Sequence, residues 1–227
     1  TSLKAYDYFH NQILPIKVSL DDLWKGFDRS CIRQKITRAE KQGVKMRTAN
    51  SIEDIKTFYL LHKMTTKKHM VPPRPFDFFK NIWDILGKER NVMILIAEVD
   101  SKPAAAGFFL KSRNSFIFEF LGLNYQYINY SPGHMIVWEA IKAAKKEGKE
   151  IFDFGLTPPD NKGLFDFKKR WGTEDNILNY YYYPDVTGYK KYITESSNSE
   201  YHRIQGFNYI LKAFKKEVAK RFYKHFG

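Results

Sequence analysis

Three strand-like runs follow one another with almost no chain between them: Val92 to Val99, Pro103 to Lys111 and Ser115 to Leu123, joined by Asp100-Ser101-Lys102 and Ser112-Arg113-Asn114. Breaks this short leave no room for a crossover, so the runs must pair as an antiparallel meander. A meander has two faces to cover, and helical patterns on both sides of it in the chain supply the cover. Ahead of it, Ser51 precedes Ile52, Ile55, Phe58, Tyr59, Leu61 and His62 at helical spacing, with Asp54 three residues after the cap. Phe76 to Leu86 reads as a second, aromatic-rich helix that Gly87 ends. After the meander, Ser131 and Pro132 form an N-cap and N1 pair for a helix running to Gly148. A buried-type strand at Ile151 to Gly155, a short helix from about Lys162 to Trp171 and a strand at Ile177 to Tyr183 complete this part. Nearer the start, Ser19 with Asp21 and Asp22 opens a short helix, Ser30 to Gln42 continues as a basic helix that Gly43 stops, and Val44 to Thr48 alternates as a strand. The first twenty residues show no clear period. The expected fold is α/β (α+β): a mixed, mostly antiparallel central sheet covered by helices on both faces. A long amphipathic C-terminal helix follows, with Ile204, Phe207, Leu211, Phe214, Val218 and Phe222 on one stripe.

The chain has 227 residues, 43% of them hydrophobic and 17% aromatic, ample apolar surface to fold despite its charge. No apolar run reaches the roughly 20 residues of a membrane span, and no signal-peptide layout is present, so the sequence reads as cytoplasmic. Cys31 stands alone, which excludes an internal disulfide and a cysteine-based zinc site. The formal net charge is +13, and it sits at the ends: +5 over residues 1–49, +2 over 50–185 and +6 over 186–227. An excess of this size points to an anionic partner such as nucleic acid, a phosphorylated cofactor or an acidic membrane surface. Three regions result: residues 1–29 as a remnant or linker of a first domain, 30–185 as the main domain, and 186–227 as a basic helical extension. A chain starting at Thr1 rather than Met reads as trimmed, with an upstream segment outside it.

The chemistry-bearing residues concentrate in 152–172. Asp153 interrupts an apolar strand two residues before Gly155, near the carboxyl end where sheets of this class bind ligands. In the following helix Leu164, Phe167, Lys168 and Trp171 share one face, which turns Lys168 inward. A lysine placed there is costly unless paired or used; pairing with Asp153, or snorkelling past Trp171, is the structural alternative. Gly133 and His134 lie at a helix start suited to an anion, although simple capping explains the same pattern. His69 sits between Lys67-Lys68 and Pro72-Pro73 as a candidate acid or base. Glu119 interrupts the strand Phe116 to Leu121, facing opposite Phe116, Phe118 and Phe120, as a base for an attacking amine or a structural hydrogen-bonding group. No P-loop, GxSxG elbow, HExxH or metal-spaced cluster occurs, which argues against kinases, serine hydrolases and zinc hydrolases.

Arg33 to Ala49 (RQKITRAEKQGVKMRTA), Phe58 to Phe79 (FYLLHKMTTKKHMVPPRPFDFF) and Ser131 to Gly172, ending DFGLTPPDNKGLFDFKKRWG, occur in order. Together they resemble the FemAB-like branch of the GNAT acyltransferase superfamily over about residues 30–185. The resemblance implies a GNAT fold whose donor binds where central strands splay apart. It implies that Phe167 and Lys168 lie against the donor, with Trp171 beside them. Arg33, Arg38, His69 and Asp153 match further positions of these relatives. The expected reaction is acyl or aminoacyl transfer to the amine of a cell-wall precursor or other small acceptor, with acyl-CoA or aminoacyl-tRNA as donor and no metal. Catalysis is expected at Lys168, Asp153, His69 and Glu119. Donor binding is expected at Phe167, Trp171, Arg33, Arg38, Gly133, His134 and Gly155. The Ser131 to His134 segment has fewer glycines than the pyrophosphate loop of CoA-binding members. Two other readings fit the same charge: a non-catalytic tRNA or nucleic-acid binding module on a degenerate core, and a protein peripheral to an anionic membrane through its terminal helix.

Overall fold

The computed structural model describes residues 5–181 apart from residue 88. Its elements run β1 (Ala5–Pro15), α1 (Leu20–Gly26), a π-helical turn (Arg29–Arg33), α2 (Gln34–Lys41), β2 (Lys45–Thr48), α3 (Ile52–Lys68) and α4 (Phe76–Leu86). They continue with β3 (Val92–Val99), β4 (Lys102–Lys111), β5 (Ser115–Leu123), a 3-10 segment (Tyr125–Tyr130), α5 (Pro132–Lys146), β6 (Ile151–Thr157), α6 (Lys162–Lys169) and β7 (Glu174–Tyr181). Seven strands form one sheet in the order β2-β3-β4-β5-β6-β1-β7. Every neighbouring pair is antiparallel except β5 and β6, which run parallel because α5 returns the chain between them.

The meander forms as its spacing requires. Asp100 and Ser101 both adopt left-handed φ (49° and 61°) and close a tight hairpin from Val99 to Lys102. The aperiodic N-terminal stretch is the main departure from expectation. Residues 5–15 are a strand between β6 and β7, so this segment belongs to the sheet rather than to a linker. Its alternation is masked because Gln12, only 1% exposed, takes an interior position, bonding Phe165 O through Nε2 (3.0 Å) and accepting from Thr157 Oγ1 (3.0 Å). The amphipathic helix expected over 201–226 lies outside the described residues.

Two apolar cores flank the sheet. One joins α1, α2 and α5 to one face through Leu23, Phe27, Ile36, Ile136, Ile141, Phe109 and Phe152. The other joins α3 and α4 to the opposite face through Ile55, Phe58, Leu61, Phe79, Ile94 and Phe108. The second contact is close: a Cβ on Gly122 would lie 2.6 Å from His62 N and 2.7 Å from Leu61 C. Arg47 links the edge of the sheet to α3, donating to Asp54 (2.6 Å) and Glu98 (2.7 Å). Ser131 and Pro132 take the expected N-cap and N1 positions of α5, but Ser131 has φ 57° and its side chain caps nothing, while its carbonyl accepts from His134 N (3.1 Å).

Candidate active site

Parallel strands β5 and β6 pair over only three positions, Ser115 with Ile151, Phe116 with Phe152 and Ile117 with Asp153, and then part. Each carries an extra residue just past that point. On β5 the partner register of β4 jumps from Phe118 to Phe120, so Glu119 is a bulge. This reverses the alternation read from sequence: Phe116 and Phe118 pack into one core, Phe120 into the other. On β6 the register against β1 shifts between Asp153 and Leu156, where Gly155 has φ 71°. Asp153 Oδ1 accepts from Gly155 N at 2.7 Å and fixes this second bend. Facing bulges therefore open the sheet at its middle.

Lys168 is 5% exposed, as its helical spacing predicts. It forms no ion pair with Asp153; its Nζ donates to the carbonyls of Gly155 (2.8 Å) and Leu156 (3.0 Å) on the bent end of β6. Burial lowers its pKa to about 8, against the attraction of Asp153, so it stays largely cationic at neutral pH. Glu119 reaches solvent, yet the recess around its carboxyl raises its proton affinity. Nearby Asp153 adds to that rise and Arg74 opposes it. Arg74 comes from the diproline loop and lies over the rings of Phe78 (4.6 Å) and Phe120 (5.9 Å). Sequence reasoning missed it, although a lone arginine between Pro73 and Pro75, before an aromatic helix, was a signal.

The remaining expected residues divide. His134 packs edge-on to Phe167 (5.8 Å) and stacks on Trp171 (6.3 Å), joining the start of α5 to α6; burial, then Lys35, lowers its pKa to about 4, so it is neutral. Trp171 was expected to line the donor site and is fully buried instead, against Phe27 and Phe154. Gly133 packs near Leu123 and Leu121, whose side chains a Cβ would meet at 3.2 and 3.4 Å. His69 ends α3, exposed, with Nε2 3.4 Å from Tyr125 Oη.

Arg33 and Arg38 lie apart from the parting, in an open groove of about 590 Å³ on α1, the π turn and α2. Trp24, Arg29, Arg33, Thr37, Arg38 and Lys41 line it, four cations and no carboxylate. Arg33 Nε is buried without a hydrogen-bond partner. Asp28 shapes this wall by accepting from Cys31 N (2.7 Å) and Ser30 Oγ (3.0 Å) at the mouth of the turn. The basic helix with Arg33 and Arg38 was legible in the sequence, but the concave arrangement that adds Arg29 and Lys41 depends on the π turn.

The acetyltransferase (GNAT) domain family matches residues 27–169. The fold is similar to that of FemX (TM-score 0.68, 18% identity, 76% of this chain and 61% of that one). It is also similar to the C-terminal domain of a putative lysylphosphatidylglycerol synthetase from Agrobacterium fabrum (TM-score 0.59, 12% identity, 86% of this chain and 66% of that one). L-PGS from Bacillus licheniformis is a third (TM-score 0.55, 11% identity, 84% and 67%). The chain thus spans under two thirds of the first two of these structures. No curated protein matches it.

Proposed function

The chain belongs to the acetyltransferase (GNAT) family, and from that premise we propose that it transfers an activated acyl or aminoacyl group to an amine in the opening between β5 and β6. The observation that carries this reading is the parting of the two strands at facing bulges, with Glu119 on one side and the Lys168-bound turn of β6 on the other. Past Ile117 the edge of β5 facing β6 has no ladder partner, and although Leu123 N at its far end is taken by Thr65 Oγ1 (2.7 Å), the stretch between is where a donor carbonyl would meet backbone N–H groups.

The amine nitrogen attacks the acyl carbon, the C–N bond forms, and the ester or thioester bond to the donor breaks. The surplus proton of the amine passes to Glu119, whose proton affinity is raised by burial and by Asp153, and leaves with the departing oxygen or sulfur. Lys168 fixes the bent end of β6 with two of its three N–H groups and keeps a positive charge beside the developing oxyanion. No covalent enzyme intermediate is required; positioning carries much of the effect.

The donor's anionic portion is assigned to the arginine groove. At α5, Pro132 has no N–H and His134 N and Met135 N are taken by Ser131 O (3.1 and 3.4 Å), which leaves Gly133 N as the donor of the first turn for a diphosphate. That supports aminoacyl-tRNA over acyl-CoA. The test supplies labelled acetyl-CoA and labelled aminoacyl-tRNA in parallel to amine acceptors. Lys168→Ala should lower transfer by at least about 100-fold, while Arg33→Ala with Arg38→Ala should mainly raise KM for tRNA. Full transfer by Lys168→Ala removes that lysine from the site. Binding of tRNA with no transfer by the wild type supports the non-catalytic binding reading instead.

A further inference from the structure

The last two turns of α3 and the loop after it carry large apolar side chains on an outer face. Leu60 is 54% exposed, Met64 46%, Met70 49% and Val71 37%. Leu60 and Met64 are four residues apart and so adjacent on the helix. Lys56, Lys63, Lys67 and Lys68 surround them, all exposed. Lys63 lies over the Tyr59 ring (5.1 Å) and Lys68 over the Tyr125 ring (5.6 Å), so apolar stems and aromatic faces continue the strip while the ammonium groups stay at its rim. The carboxylates nearby are Glu53, which pairs with Lys56 (2.7 Å), and Asp77, beside Tyr59. With Glu53 offsetting Lys56 and Asp77 offsetting one more, the strip keeps two net positive charges among Lys63, Lys67 and Lys68.

This strip stands at one end of the parted strands. Leu123 N at the end of β5 donates to Thr65 Oγ1 (2.7 Å), and His69 approaches Tyr125 just beyond it. An apolar centre with a lysine rim complements neither a nucleic acid, which offers no apolar layer to receive Leu60 and Met64, nor an ordinary solvated face. It complements an anionic bilayer surface, where apolar side chains enter the acyl boundary and lysines meet headgroup phosphates.

We propose that this strip docks the protein on an anionic lipid surface, with the opening between β5 and β6 held beside the membrane. The consequence, that the acceptor amine is carried by a membrane-linked molecule, rests on the transfer reading above; the docking itself does not.

Flotation of the full chain with phosphatidylcholine vesicles, with and without 30% phosphatidylglycerol, tests this surface without any transfer assay. The expected result is binding to the anionic vesicles only, weakened about fivefold for each lysine changed in Lys63→Gln and Lys67→Gln. Leu60→Ser with Met64→Ser should weaken it at least tenfold. These side chains are exposed, so the variants should keep the wild-type circular dichroism and melting temperature. In a parallel variant, Phe207→Ser with Phe214→Ser, binding should persist. No binding by the wild type overturns the proposal. So does equal binding to neutral vesicles, or binding lost in the Phe207 and Phe214 variant but kept in the Leu60 and Met64 variant.

Discussion

His62 and His134 are both held neutral by their surroundings, with pKa values lowered to about 4. For His62 burial is the main cause and Arg74 the second; its Nε2 has no hydrogen-bond partner, and it lies against Phe58, Phe79 and Phe120. A histidine whose folded pKa lies below its unfolded value near 6.5 leaves stability intact above that pH. Stability then falls as the pH drops from 6.5 toward 4, because only the unfolded chain takes up the proton. Buried His62 accounts for a loss of up to about 3 kcal/mol across that window; His134, which is partly exposed, accounts for less. Urea midpoints measured from pH 7.5 to 4 should show the fall, and His62→Phe should flatten it. A curve unchanged by His62→Phe would place the titration elsewhere. Residue-scale reading of the sequence did well where one helix decides the outcome: the inward turn of Lys168 follows from its spacing to Leu164 and Trp171. It failed for Glu119, because a bulge on β5 is set by pairing with β4 and leaves no mark in the strand's own composition.

Among elements, α3 against β5 decides how the site is backed. Gly122 lets the two backbones touch, so Gly122→Ala must push α3 outward and should cost about 2 kcal/mol or more, read as a lower thermal midpoint. Arg47→Met should cost about 3 kcal/mol, since it leaves Asp54, 8% exposed, without its cation. Asp54 keeps a lowered pKa although burial opposes it, through Asn50 N, Arg47 and Ser51. The meander and helices α1 to α5 were legible because short turns, caps and breakers mark where each begins and ends. β1 was not: it is flanked by β6 and β7, buries a glutamine and meets a bulge, and these are properties of the assembled sheet.

For the whole molecule, part of the +13 charge gains a location. Much of the excess over residues 1–49 lines the groove of Arg29, Arg33, Arg38 and Lys41, so tRNA affinity should fall with salt at a log–log slope of roughly −3. A flat salt response would remove the groove from donor binding. The proposed transfer has its chemistry in the strand parting, anion capture in the groove and acceptor approach along α3. The most direct test of its centre is the pH dependence of kcat/KM for amine acylation by wild type and Glu119→Gln, with acetyl-CoA and aminoacyl-tRNA tried as donors. A base role for Glu119 requires an ascending limb in the wild type and a loss of at least about 100-fold in Glu119→Gln, with that limb abolished. Equal rates and an unchanged profile in Glu119→Gln would contradict it.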